Sequence, residues 1–332
     1  MRKIALLLII VILGACEAAL LPEDPNNTPE ENFQSLVETV GEKYSFFELK
    51  DINWESSANF YRQRLSPNMS DEALFEVLDS LLYILRDGHV NLVAPFNLSR
   101  NWSWYLNAPE NFRDDILERN YLANDYLVVS GFRCRYLRDS IAYLHYNSFS
   151  ASFSEEQIES LFSFIAPAKG LILDLRNNGG GSLNNTYRLA GRFINTNVQA
   201  LLSDEKTGPG PNDFGNATSL TIPALGDYPF LKPVVLLTNR RCYSATNTFT
   251  AISKSFNHFY HLGDTTGGGG GIPIDYELPN GWRYRFSATR SFTPDGFNIE
   301  LGIPPDSAFN LDPLLLQQGT DQYIEAALDY LD

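Results

Sequence analysis

Residues 169–181 read KGLILDLRNNGGG. A continuous apolar run of strand length, breaking into polar residues and three glycines, predicts a strand buried on both faces and then a tight turn. A helical segment over 183–194 follows it. Residues 232–256, KPVVLLTNRRCYSATNTFTAISKSF, repeat the plan with a strand over 234–238, a short connection, and a helix carrying Ala245, Phe249 and Ile252. Buried strands that alternate with helices predict an α/β domain whose sheet is covered on at least one face.

Working toward the N-terminus, residues 126–148 contain two β-like runs, DYLVVSGFRCRYL and SIAYLHYNSF, expected to pair. Before them, Trp102, Trp104, Tyr105 and Phe112 form an aromatic cluster suited either to a peptide or sugar platform or to a lid packed on the core. Further upstream, Phe33, Leu36, Val37, Val40 and Tyr44 make a helical stripe. Leu74, Val77, Leu78, Leu81, Leu82 and Leu85 make another behind a Ser70-Asp71 cap, with Gly88 where the helix is expected to stop. These elements predict a small helical subdomain over 31–95 and a core domain over 96–332.

The chain opens with Arg2 and Lys3, an uncharged run from Ile4 to Leu13, and LGAC ending at Cys16. A charged start, a short apolar stretch and small residues form an export signal. LGAC also resembles the lipobox of bacterial lipoproteins, in which Cys16 would carry the lipid. Residues 1–16 are therefore expected to be a signal peptide, and 17–30, rich in Pro, Asn and acid, a tether to a membrane of the bacterial cell envelope. A net charge of −15 disfavours a nucleic-acid partner. Cys134 and Cys242 are left either to bridge or to stay as two buried thiols. His89, His145, His258 and His261 show no metal-binding spacing, and neither metal nor cofactor is expected.

Ser244 falls between a buried strand and the helix after it, where the first free N–H groups of the helix favour negative charge. Taken alone, a serine there reads as an N-cap. The glycines at 179–181 end the neighbouring strand and could present a second N–H to the same point, as an oxyanion hole requires.

Residues 170–181 and 232–249, together with YSFFELKDINW (44–54) and LRDGHVNL (85–92), resemble the signature segments of one serine peptidase family. It comprises the C-terminal processing (tail-specific) proteases and the core of tricorn protease, and the N-terminal pair resembles its tricorn-like members. The resemblance runs from about residue 33 to the end. It implies a ClpP/crotonase-like core sheet with covering helices, Ser244 as nucleophile, and an oxyanion hole made by the amides of Ala245 and Gly180. Laid over the tail-specific motif that holds the catalytic Lys, GDTTGGGGG (263–271) places Gly269 at the Lys position. The tricorn-like alternative implies His89 as base and Glu300 as the group orienting it. Three departures stand out: Gly88 where tricorn has a linking serine, Asn247 where much of the family has Glu, and no PDZ-like segment. Gly268 and Gly269 are expected to form a bare wall against extended substrate backbone.

The reading at this level is a lipid-anchored serine endopeptidase acting on peptide or protein. Its alternative is a catalytically degenerate lipoprotein that binds peptides or glycans on the same fold. An α/β-hydrolase esterase needs Gly-x-Ser-x-Gly, which CYSAT does not supply.

Overall fold

The computed structural model describes residues 26–332 apart from 103, 104, 106, 124, 139 and 310. The expected signal peptide, the lipidation position Cys16, most of the tether and Trp104 lie outside the described residues. In chain order, the N-terminal elements are helices α1 (Pro29–Lys43), α2 (Trp54–Arg62) and α3 (Asp71–Tyr83), then strands β1 (Asn91–Ala94) and β2 (Asn97–Leu98). The central part holds β3 (Leu127–Val129), β4 (Phe132–Leu137), β5 (Ile141–Tyr146), α4 (Glu155–Ile165), β6 (Gly170–Asp174), α5 (Leu183–Ala190), β7 (Val198–Glu205) and β8 (Thr218–Ile222). The last part holds β9 (Val234–Thr238), α6 (Ala245–Ser253), β10 (Phe259–Gly263), β11 (Pro273–Glu277), β12 (Arg283–Ser287), β13 (Thr289–Phe292) and α7 (Gln322–Leu331). Among the described residues, no helix is long and apolar enough to cross a membrane.

The largest sheet has the order β10-β9-β6-β5-β4-β3; β10, β9, β6 and β5 run parallel, and β4 and β3 extend it antiparallel. Every residue of β6 and β9 is buried, as their unbroken apolar runs require. One face packs against α4, α5 and α6 through Leu161, Leu189 and Phe249. The other packs against α7 and residues 112–122 through Ile172, Leu237 and Ile324. The run DYLVVSGFRCRYL is two strands rather than one. Ser130 takes φ 52° and, with Gly131, turns the chain between Val129 and Phe132.

The N-terminal helices are present, and they carry one difference from the sequence reading. Thr28 accepts from Glu31 N and Pro29 occupies the first turn, so α1 starts inside the segment expected to be tether. Helix α3 ends at Tyr83, short of Gly88. The helices also do not close a core by themselves. They cover a second sheet, β11-β12-β1-β2, and Phe33, Leu78 and Leu82 pack with Trp282, Tyr284 and Phe286 from the far end of the chain. A sheet edge exposed by so few local strands needs partners, and β11 and β12 supply them.

Arg176 of the DLRNN motif is fully buried and serves the frame. Its Nη2 lies 2.6 Å from Asp174 Oδ2 and 2.9 Å from Asp321 Oδ2, and Asp321 in turn caps α7. The last helix is thereby pinned to the end of β6, from which the glycine turn departs.

Candidate active site

Ser244 ends the turn from β9 into α6, and His89 sits just ahead of β1. His89 Nε2 nevertheless lies 2.9 Å from Ser244 Oγ. Ser244 adopts φ 56° and ψ −119°, a region that L-residues avoid and that must be held by its surroundings. Two backbone bonds hold it: Ser244 N donates to Gly268 O and Thr248 N to Ser244 O, each at 2.9 Å. The serine stands at the N-cap position, yet its side chain makes no cap bond. Its hydroxyl is therefore turned toward the imidazole rather than spent on the helix.

Ala245 is the first residue of α6, so its N–H has no acceptor within the helix. Gly180, with φ 100°, approaches this point so closely that a Cβ would stand 2.9 Å from Ala245 N and 3.0 Å from Ser244 Cβ. Its own N–H, expected as an oxyanion donor, is instead donated to Asn178 Oδ1 at 3.0 Å. That oxygen also accepts from Thr246 Oγ1 at 2.7 Å, which locks the turn to α6. Gly180 thus provides room, while Gly179 and Gly181 on either side line the cleft.

The cleft has a volume of about 800 Å³. Leu183, Tyr187, Leu201 and Leu220 contribute apolar lining, and Gly269, Gly270 and Gly271 contribute a stretch of lining without side chains. Gly268, expected to join that stretch, is directed into the packing: its φ is 85° and a Cβ would run into the Glu300 carbonyl oxygen. Gly269 has φ 78°, and a Cβ there would come 2.5 Å from Tyr243 Cζ. The glycine run is needed because it threads between Tyr243 and residues 299–302, with Gly267 N donating to Cys242 O at 2.7 Å.

The carboxylate expected behind the base is placed differently. Glu300 accepts from Lys50 Nζ at 2.7 Å and from Gly270 N at 2.8 Å, and no hydrogen bond among the described residues joins it to His89. Facing His89 Nδ1 are Ser287 Oγ at 3.4 Å and Asp87 Oδ1 at 4.0 Å. Asp87 Oδ1 accepts from His89 N at 2.8 Å and from Tyr243 OH at 3.2 Å, while its buried Oδ2 has no hydrogen-bond partner. Lys50 Nζ stands 3.9 Å from that Oδ2 and so lies between the two carboxylates. Gly88 supplies the physical reason. A Cβ at that position would sit 2.9 Å from the Tyr243 hydroxyl, so the space a linking serine would occupy is filled by the tyrosine.

Burial pushes the His89 pKa down to about 4; Asp87 opposes this, and Arg285 and Lys50 add to it. The imidazole is neutral at pH 7 and able to accept a proton. Burial would raise the Asp87 carboxyl, but the Lys50 charge, the His89 ring and the His89 backbone N–H outweigh it, and Asp87 stays below the usual carboxylate range. Burial lifts Glu300 to about 7, with Lys50 opposing and Asp87 reinforcing.

Asn247 bridges α6 to the wall, donating to Ile299 O at 2.8 Å and accepting from Thr266 Oγ1. The aromatic cluster divides. Trp102 and Tyr105 line the cleft, with Tyr105 stacked on Tyr243 at 5.6 Å, whereas Phe112 stacks on His145 within the core. Cys134 and Cys242 are free and buried, and burial raises each thiol to about 12. Asp87, Lys50, Ser287 and Tyr243 carry much of the site without having been singled out from sequence. Lys50 and Asp87 lay inside recognised segments, but nothing marked where their side chains go, and Ser287 lay in no motif.

The model of Peptidase family S41 matches residues 140–309, and that of the Tricorn protease C1 domain matches residues 25–82. The carboxyl-terminal-processing protease of Picosynechococcus sp. is 29% identical over 198 residues, covering 58% of this chain and 45% of the relative. The chloroplastic C-terminal processing peptidase of Tetradesmus obliquus is 30% identical over 148 residues, covering 44% of this chain and 30% of the relative. The chain thus spans less than half the length of these curated relatives. The crystal structure of a candidate peptidase from Parabacteroides merdae superposes with a TM-score of 0.87 at 37% identity, covering 92% of this chain and 97% of that one. With just over half of the 332 residues matched by the family model and nearly the whole length matched by that structure, the chain belongs to peptidase family S41.

Proposed function

We propose that the protein is a serine endopeptidase, held to a membrane of the bacterial cell envelope through a lipid on Cys16. The observation that carries the catalytic part is the 2.9 Å contact between His89 Nε2 and Ser244 Oγ. Neutral His89 takes the hydroxyl proton as Ser244 attacks the carbonyl carbon of a peptide bond. The oxyanion that forms meets the Ala245 N–H at the positive end of α6. His89 then gives its proton to the leaving amine, and water hydrolyses the acyl-enzyme by the same route. Asp87, 4.0 Å from His89 Nδ1, balances the imidazolium charge. Glu300, held by Lys50, acts on the Gly270 N–H and so positions the wall; its part in a Ser-His-Glu arrangement is indirect.

Replacing Ser244 by Ala is expected to abolish both cleavage of unfolded casein and labelling by a serine-directed phosphonate, with the fold retained. Equal casein cleavage by parent and variant would overturn the assignment. The anchor rests on the LGAC sequence at 13–16: Cys16→Ser should abolish labelling by radioactive palmitate and move the protein from the membrane to the soluble fraction.

The capture of Glu300 by Lys50 favours a second reading, a binding lipoprotein without turnover. Absence of phosphonate labelling in the parent protein would select it.

A further inference from the structure

We propose that Lys50 is a positioning residue of the reaction: its ammonium ties the loop that carries His89 to the glycine segment that holds Ser244, and so sets the spacing of base and nucleophile. The role rests on the peptidase reading. Lys50 is not itself among the residues lining the cleft, and it acts only through the groups it holds.

An ammonium has three N–H bonds to give, and here each goes to a different residue. Lys50 Nζ donates to Tyr44 OH at 3.1 Å, to Arg86 O at 3.2 Å and to Glu300 Oε1 at 2.7 Å. Tyr44 OH donates in turn to Leu85 O at 3.1 Å, and Arg86 Nη2 donates back to Lys50 O. Two successive carbonyls just ahead of Asp87, Gly88 and His89 are therefore held from residues 44–50. Arg86 has φ 47°, a backbone region that residues other than glycine rarely adopt, so the grip fixes a bend that its surroundings must maintain.

The bond to Glu300 reaches the nucleophile by another route. Glu300 Oε2 accepts from Gly270 N at 2.8 Å. Two residues back, Gly268 O accepts from Ser244 N at 2.9 Å, one of the bonds that keep the serine at φ 56°. The contacts from Arg86 through Lys50 and Glu300 to Gly270 thus run behind the 2.9 Å meeting of His89 and Ser244 and close a ring with it. Tyr243 OH, 3.2 Å from Asp87 Oδ1, is a second link across the same gap, and the bond from Lys50 to Glu300 is the charge-assisted one. With its three donors spent, Lys50 gives Asp87 Oδ2, 3.9 Å away, charge but no hydrogen bond.

Three variants separate position from charge: Lys50→Arg, Lys50→Met, and Lys50→Met combined with Glu300→Gln. Arginine keeps the charge, but its planar fork cannot place three N–H groups on the same three points. Rates are read near neutral pH on a quenched peptide made from a casein cut site. Lys50→Arg is expected to lower kcat about tenfold, with KM and the acid side of the pH profile as in the parent. Lys50→Met is expected to lower kcat about a hundredfold. It should also move the acid side of the profile to higher pH, because a positive neighbour of His89 is gone, and lower the urea midpoint, because Glu300 is left buried without its cation. Adding Glu300→Gln removes that orphaned charge, so the urea midpoint should return toward the parent while kcat stays low. Recovery of kcat in the double variant, or parent kcat in Lys50→Arg, would mean that Lys50 only neutralises a carboxylate, and would overturn the proposal. If Lys50→Met does not fold, the other two variants carry the same decision.

A readout that needs no turnover keeps this proposal apart from the peptidase reading. Amide hydrogen exchange in Lys50→Met should speed up about tenfold or more at both His89 and Gly270, far apart in the chain but joined through Lys50. Faster exchange at both amides, in a protein whose parent cleaves no casein, supports the tie and sinks the peptidase reading. Casein cleavage by the parent with exchange unchanged at either amide does the reverse.

Discussion

Lys50 Nζ and Glu300 Oε1 form a 2.7 Å ion pair across 250 positions of sequence, with both side chains largely buried. The pair ties the carboxylate to the N-terminal unit and to the glycine wall, not to the imidazole. Removing the charge behind the base should therefore matter most at Asp87. Asp87→Asn is expected to lower kcat by about 10²- to 10⁴-fold with little change in KM, the range of a lost acid–base contribution. Glu300→Gln should cost no more than about tenfold. Steady-state kinetics on a quenched peptide made from a casein cut site check the ranking, and a larger loss in Glu300→Gln would restore a direct role to that residue.

The pH dependence has a direction for each neighbour of His89. Protonation removes the base, and with its pKa near 4, kcat/KM should hold through pH 6 and fall as the pH drops through about 4. Arg285→Gln takes away a positive neighbour, which raises the imidazole pKa and moves the acid limb to higher pH. Asp87→Asn takes away a negative neighbour and moves it lower. Profiles measured with amidated peptides test both shifts, and a common limb for all three proteins would contradict the arrangement.

Gly268→Ala should unfold the wall. The backbone is at φ 85°, and a methyl group would collide with the Glu300 carbonyl, itself fixed backbone. A loss of about 2 kcal/mol or more is expected in urea titration, with activity lost in parallel. Gly179→Ala is the contrast: a Cβ there meets nothing within 4 Å, so stability should change little while KM reports the narrowed cleft.

Arg176→Ala should be among the most destabilising single changes. It leaves Asp174 and Asp321 buried without their cation, and breaking such a pair costs about 3–5 kcal/mol. A large fall in the urea midpoint would check it; a fall of less than about 1 kcal/mol would mean that the two aspartates find other partners or take up protons.

Local pattern carried the core of the fold. The apolar runs at 170–174 and 234–238 are fully buried parallel neighbours, and Ser244 stands between strand and helix as its position suggested. The stripe from Phe33 to Val40 is likewise a helix face, while Tyr44 falls just past the end of α1 in extended backbone. Less legible was anything decided by residues distant in sequence. The pairing of Val93 with Arg283 and Leu98 has no local signature, so a unit that read as helical holds a sheet. The turn at Ser130 was hidden in an unbroken β-like run. Gly180 was read as a donor because spacing alone cannot say which way an amide points, and the Asn178 side chain decides that. The partner of His89 depends on how Tyr243 fills the space beside Gly88, a packing question that a motif does not pose.

The sheet shared by β1, β2, β11 and β12 has a practical consequence for dissecting the protein. Severing the chain after residue 95 would give one fragment with the base and another with the nucleophile. The second fragment would carry Trp282, Tyr284 and Phe286 stripped of the helices that cover them. Neither piece would be a working unit, and a pair of co-expressed fragments would have to find each other through that sheet before any hydroxyl met its imidazole.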